Sequence, residues 1–217
     1  SMAALPVIAI LGRRLARSRA ETTAAAPELA AEPPSDESAR TIVVGYGRVG
    51  DLVSSMLAVH KEPYIAVDSY VQAVVSGRNR SAPVYFGDAK SPAFLRRCGV
   101  DKAKALIVTI NNRDEIDRIV VAARALRPDL PIIARAKDAT HAQHLYAEGV
   151  MDAVPETIEA SLQLSEAALV AIGVPTGPVI ASIHEKRDEF RAMLKPVTTD
   201  GSVRETRAIK PKRMRRS

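Results

Sequence analysis

The run Thr41-Ile42-Val43-Val44 leads directly into Gly45-Tyr46-Gly47-Arg48-Val49-Gly50, and that junction restricts the fold more than any other stretch of the chain. Four β-favouring residues ask for a buried strand. A Gly-x-Gly-x-x-Gly alone is a weak signal. After a strand and opening a helix, here Val49–His60, it marks a βα turn that receives a phosphate group. Gly45 makes the tight turn, Gly47 lets backbone approach a pyrophosphate, and Gly50 lets the helix pack on the strand. The first-turn N–H groups and the positive end of the helix dipole then face the anion. The plainer alternative is a glycine-rich turn without a ligand.

The same alternation continues downstream. Short β-rich runs at Thr41–Val44, Tyr64–Val67, Pro83–Tyr85, Ala105–Val108, Ile132–Ala134 and Met151–Val154 are separated by helical stretches near 49–60, 70–77, 91–98, 113–127 and 139–147. This period predicts an α/β fold, a Rossmann-like doubly wound parallel sheet of about six strands. Right-handed crossovers place helices on both faces, and the ligand crevice falls at the carboxyl ends of the strands where their order reverses. Trp is absent and aromatics are only 4%, so the core is built from Ala, Val, Ile and Leu, as buried parallel strands favour. Asp68 ends the second strand 18 residues after Gly50, near the spacing of about 20 for the acid that accepts ribose hydroxyls. Its charge would repel a 2′-phosphate, which disfavours NADP. Asp68 is also compatible with helix N-capping. Ser69 beside it and Thr109 after the fourth strand are assigned to the same crevice by position.

Four stretches carry a family resemblance: Val43 to Gly50, Val84-Tyr85-Phe86-Gly87-Asp88-Ala89, Ile133-Ala134-Arg135-Ala136-Lys137-Asp138, and Pro155 to Pro175 with Glu159-Ala160-Ser161-Leu162. Over roughly residues 40–175 the chain resembles the RCK, KTN or TrkA-N regulatory domain of bacterial potassium transport. It looks most like the cytosolic domain of Kef-type efflux systems of the cation:proton antiporter-2 family. The resemblance implies an adenine nucleotide in the crevice, either AMP/ATP-like or NAD(H). Gly45, Tyr46, Gly47, Arg48, Val49 and Gly50 would then lie at phosphate, Asp68 and Ser69 at ribose, and Asp88 and Ala89 beside adenine. Arg48 is the best placed cation for a phosphate or an acidic effector, and Arg135 at the end of strand five could reach the same crevice. Both arginines have the ordinary alternative of a solvated surface charge. Some Kef systems answer to glutathione through basic residues on the helix after strand five. That helix here, Thr140-His141-Ala142-Gln143-His144-Leu145-Tyr146, has no Arg or Lys, which argues against glutathione control. Related regulators carry a second domain of about 80 residues, a normal domain size, for which the segment after residue 175 is too short.

The flanks read differently. Ser1-Met2 has the look of an expression scar. Ala3–Leu11 is apolar and is followed by Arg13, Arg14, Arg17 and Arg19, the order found where a membrane helix exits on the cytoplasmic side. Residues 1–19 are thus expected to end a transmembrane helix, with an amphipathic N-terminal helix as the alternative. Residues 20–39 are rich in Ala, Glu, Pro and Ser and read as a flexible linker. Glu156–Ile172 is expected to be a helix with Ile158, Leu162, Ala168, Leu169 and Ile172 recurring at near-helical spacing. Val179–Leu194 is expected to be another, within a C-terminal segment 176–197, with Ile180, Ile183, Phe190 and Leu194 on one face. These helices either form a homodimer interface, which the resemblance favours, or pack on the parent domain. The net charge of +6 arises from the last 17 residues, which hold seven basic groups and one acid. The stretch 198–217 is therefore read as a basic, disordered tail, and no nucleic-acid partner is expected.

Catalytic signatures are missing. No P-loop Gly-Lys-Ser/Thr or Gly-x-Ser-x-Gly elbow occurs, and the chain is expected not to be an enzyme. His141 and His144 stand three apart, but no Cys or carboxylate pair completes a metal site, and both read as surface histidines. Cys98, the one cysteine, reads as a small buried residue rather than a reactive thiol. The expected function is a cytosolic nucleotide sensor on the cytoplasmic face of a bacterial inner membrane, gating a potassium:proton antiporter domain of the same chain. The alternatives are a peripheral subunit of a potassium uptake system and a small NAD-dependent oxidoreductase.

Overall fold

The computed structural model describes residues 32–33 and 39–195. The expected membrane stub, most of the linker and the basic tail lie outside the described residues. The strands are β1 (Thr41–Val44), β2 (Tyr64–Asp68), β3 (Val84–Phe86), β4 (Ala105–Val108), β5 (Ile132–Ala136) and β6 (Asp152–Pro155). The helices are α1 (Arg48–Val59), α2 (Val71–Asn79), α3 (Pro92–Arg97), α4 (Arg113–Leu126), α5 (Ala139–Ala147), α6 (Glu156–Ala171) and α7 (Thr176–Leu194). The sheet has six strands in the order β3-β2-β1-β4-β5-β6, the Rossmann-like arrangement expected from the alternation.

β1 occupies the middle, and its pairing is parallel on both sides. Val43 stands opposite Ala66 of β2 and Ile107 of β4. All four β1 residues are buried, which is why the strand reads as an unbroken apolar run rather than an alternating one. The chain leaves β1 toward β2 on one side, and β4 lies on the other, so the order reverses beside β1.

The chain divides between Arg135 and Ala136 into two compact units. In the first, Val43, Tyr46, Ala66, Val74 and Val84 form one core cluster. The second consists chiefly of α5, β6, α6 and α7. Its α6–α7 core is Leu162, Val179 and Ile183, flanked by Ile158, Leu169, Val174 and Phe190. Two ion pairs add to that packing: Arg187 with Glu159 at 3.0 Å and Arg191 with Asp152 at 3.2 Å.

Several expectations shift. A single domain over 40–175 was anticipated, whereas the units part at 135/136, because α5, β6, α6 and α7 pack on one another. α7 starts at Thr176 rather than Val179. Pro178 falls in its first turn, where a proline removes no helical hydrogen bond. Val179 is buried in place of Ile180, and Ile172 at the end of α6 is 76% exposed. A 3-10 turn at Val100–Lys102 was not anticipated. His141 is fully buried, correcting its placement on the surface. Its Nδ1 accepts the Lys137 N–H at 3.1 Å, a local bond that lets an imidazole sit in an apolar core. Cys98 is buried, and desolvation pushes its thiol up to about 12.

Replacing Leu162 by Ala should cost about 3 kcal/mol through lost burial and the cavity left, whereas Ile172→Ala should change stability by less than about 0.5 kcal/mol. Urea unfolding followed by circular dichroism measures both. Equal effects would contradict the packing of α6 described above.

Candidate functional site

A cleft opens at the carboxyl ends of the strands around the reversal. Val44 ends β1 and Gly45 follows it, Val67 and Asp68 end β2 with Ser69 after them, and Gly87 to Lys90 belong to the loop after β3. Ile110 follows β4, and Glu115 and Ile119 come from α4.

The glycine turn at its edge is shaped by three different constraints. Gly45 has φ +91°, a left-handed conformation that a side chain disfavours, and a Cβ there would lie 2.7 Å from Ile110 Cγ2. Gly50 lies so close beneath the turn that a Cβ would stand 1.9 Å from the Gly45 carbonyl oxygen. At Gly47 a Cβ would meet nothing within 4 Å. Gly47 is the N-cap of α1, and no side chain caps that helix. The amides of its first turn, on Arg48, Val49 and Gly50, have no intrahelical acceptor. The open approach over Gly47 thus meets backbone donors at the positive end of the helix dipole.

Two side chains hold this turn. Thr109 is buried, and its Oγ1 lies 3.0 Å from both the Val44 and the Gly45 carbonyl oxygens. Its hydroxyl therefore braces the loop instead of lining the cleft. Asp68 does line the cleft. Its Oδ2 accepts the Tyr46 N–H at 2.6 Å and its Oδ1 the Tyr70 N–H at 2.7 Å. Both oxygens are fixed in place, and each keeps a further lone pair for a hydroxyl donor.

The structure separates the residues expected at the site into two groups. Gly45, Asp68, Ser69, Asp88 and Ala89 line the cleft. Gly47, Arg48 and Val49 are exposed on the turn, with Gly50 buried under it. Tyr46 departs from expectation. Its N–H is taken by Asp68, and its ring is buried among Val43, Ala66, Val74 and Val84. Burial first, and a hydrogen bond to Asp51 second, push its phenol up to about 12. A Cβ on Gly77 would lie 2.7 Å from that ring, so Tyr46 fits a slot in α2 and acts as core. Arg135 donates from its Nη1 to the Thr109 carbonyl at 3.3 Å, a contact with backbone after β4. Among the described residues Arg48 has no ion-pair partner.

Sequence reasoning missed Gly87, Lys90, Ile110, Glu115 and Ile119. The signal for Glu115 was present in Asn112-x-x-Glu115, since Asn112 caps α4 and a residue three places after it lies in the first turn, near the strand ends. Lys90 Nζ lies 3.2 Å from Glu115 Oε1. Among the described residues, no group of three or more His, Cys, Asp or Glu side chains is arranged to hold a metal ion.

The sheet order and the glycine turn at its carboxyl edge define a Rossmann-like α/β domain of the nucleotide-binding type. The TrkA-N domain model matches residues 41–156, and the chain belongs to that family. It is 34% identical over 195 residues to K(+) efflux antiporter 2, chloroplastic, of Arabidopsis thaliana, a match covering 89% of this chain and 16% of that protein. It is 32% identical over 146 residues to the putative K(+) efflux antiporter KefB of Alkalimonas amylolytica, covering 67% of this chain and 22% of that one. The chain thus spans less than a quarter of the length of either relative. Among solved structures it is similar to the Kef CTD of Shewanella denitrificans in AMP-bound form, with a TM-score of 0.61 and 26% identity, covering 71% of this chain and 94% of that one. It is also similar to the TrkA-N domain of the inner membrane protein ybaL from Escherichia coli, with a TM-score of 0.56 and 30% identity, covering 59% of this chain and 95% of that one.

Gly50 and Gly47 should respond unequally to alanine. Gly50→Ala forces a methyl against a backbone carbonyl and should cost about 3 kcal/mol or more. Gly47→Ala meets open space at an ordinary φ of −79° and should alter stability by under about 0.5 kcal/mol. Chemical denaturation of the two variants distinguishes them, and a tolerated Gly50→Ala would refute the close packing of α1 on β1.

Proposed function

We propose that this chain is a nucleotide-sensing regulatory domain, not an enzyme, and that in the full protein it gates potassium efflux by a cation:proton antiporter domain of the same polypeptide. The observation that carries this reading is the uncapped start of α1 with open space over Gly47, one turn from the fixed carboxylate of Asp68. The residues present fit an adenine nucleotide. The first-turn amides of α1 and the exposed Arg48 suit its phosphate. Asp68 and Ser69 suit ribose hydroxyls. Ala89, Ile110 and Ile119 offer apolar faces for a base, with Asp88 at its edge. AMP is bound in the similar Kef domain, which supports AMP or another adenine nucleotide here, NAD(H) included. The Asp68 carboxylate disfavours a 2′-phosphate and hence NADP.

Gating requires that nucleotide bind one arrangement of the assembly better than another, since equal affinity shifts no equilibrium. The proposed assembly is a homodimer through the C-terminal helices. Leu164 and Ile172 of the α6 region and Ile180 and Met193 of α7 are all exposed apolar side chains, and a partner copy would bury them. Similarity to potassium efflux antiporters over 86% of this chain or more supports a transmembrane partner domain, with this domain on the cytoplasmic face. Among the described residues no helix is long and apolar enough to cross a membrane.

A thermal-shift panel of AMP, ATP, NAD, NADH and NADPH tests the ligand. A nucleotide at 100 times its Kd adds about 2.7 kcal/mol to native stability and should raise Tm by several degrees, NADPH least. Asp68→Ala should lose most of the shift. Gly47→Ala should stay folded yet bind at least about tenfold more weakly, a loss of about 1.4 kcal/mol, because its methyl fills the approach to the amides. Absence of a shift with every adenine nucleotide would sink the sensing role.

A further inference from the structure

The wall of the cleft away from the glycine turn is joined by an ion pair that the foregoing reading leaves unused. Lys90 Nζ lies 3.2 Å from Glu115 Oε1 and 3.8 Å from Asp88 Oδ2. All three side chains line the cleft. Lys90 and Asp88 sit on the loop after β3, whereas Glu115 sits in the first turn of α4, so the pair bridges two separate elements.

The loop is tightly placed at its start. The Gly87 N–H donates to the Asp68 carbonyl at 3.0 Å. A Cβ on Gly87 would stand 2.1 Å from the ring of buried Phe94, so the loop lies flat on that ring. Asp88 Oδ1 accepts the Lys90 N–H at 2.9 Å, which leaves Oδ2 as the oxygen beside the ammonium. Glu115 is equally specific in its placement. Asn112-x-x-Glu115 has the spacing of a capping box, in which the glutamate would reach back to its own helix start. Asn112 does accept the Glu115 N–H at 3.3 Å, but the Glu115 carboxylate turns across the cleft to Lys90.

We infer that the Lys90–Glu115 pair positions Asp88 to read a purine base, and so makes the cleft prefer a 6-aminopurine over a 6-oxopurine; this rests on the reading that the cleft takes a nucleotide. The chemistry follows from lone pairs. An ionised carboxylate only accepts. It gains a charge-assisted bond from an exocyclic amino group and meets repulsion from a carbonyl oxygen. Lys90 lets the Asp88 and Glu115 carboxylates converge on one wall of the cleft, because a like-charge pair alone is unfavourable. It also restrains Asp88 between its own backbone N–H and its ammonium. The pair is half exposed and adds little to stability, so its effect falls on orientation.

Isothermal titration of the full chain with AMP and with IMP tests this, using wild type, Lys90→Met, Lys90→Arg and Glu115→Gln. Wild type should favour AMP by about tenfold, the discrimination expected of one charge-assisted hydrogen bond. Lys90→Met and Glu115→Gln should reduce that ratio to about threefold or less while melting within a few degrees of wild type. Lys90→Arg, which keeps the charge, should retain it. An unchanged AMP/IMP ratio in both Lys90→Met and Glu115→Gln would overturn the positioning role while leaving nucleotide binding intact. Failure of the wild type to bind AMP at all would instead remove the nucleotide reading on which it stands.

Discussion

The contact on which the rest depends is the seating of α1 under the carbonyl of Gly45. A helix brought this near a strand admits only glycine at the crossing, and Gly50 leaves no room for even one methyl. That closeness sets where the first turn of α1 points, and the direction of its free amides follows from it. Thr109 reinforces the geometry from the neighbouring strand, since its hydroxyl reaches the carbonyls on both sides of the β1 end. The surface of free amides is therefore made by backbone and held by packing.

Much of this was legible in the sequence, for a physical reason. Central parallel strands are buried on both faces, so Thr41–Val44 and Ala105–Val108 stand out as short β-favouring blocks. Glycines with distinct steric duties leave a fixed spacing, and Gly45, Gly47 and Gly50 show three distinct steric situations. Asp68 was legible as a strand-end acid. Its grip on the Tyr46 and Tyr70 amides was not, because hydrogen bonding between a side chain and distant backbone leaves no periodic trace.

The misreadings share a cause. Tyr46 lies inside the glycine motif, yet its ring belongs to the core and fits against Gly77 of α2; motif membership says nothing about which way a side chain turns. His141 looked like a surface residue because histidine is intermediate in its burial tendency and its sequence neighbours showed no partner for the ring, and one local bond to the Lys137 N–H goes with its burial in α5. Val179 and Ile180 are adjacent apolar residues on one helix, and periodicity alone could not choose between them. Lys90 and Glu115 were passed over because charged residues near helix starts ordinarily face solvent; only their convergence from two elements distinguishes them.

The double engagement of Asp68 has a consequence for how the cleft can be altered. The carboxylate that faces the cleft is also a structural brace, since it ties the glycine turn to the start of α2 through two amides. Exchanging it for a residue without a carboxylate removes both ties in the same step. The chemistry of the cleft wall and the shape of the loop are thus coupled through one side chain, and altering the first while keeping the second demands a compensating change elsewhere in the turn.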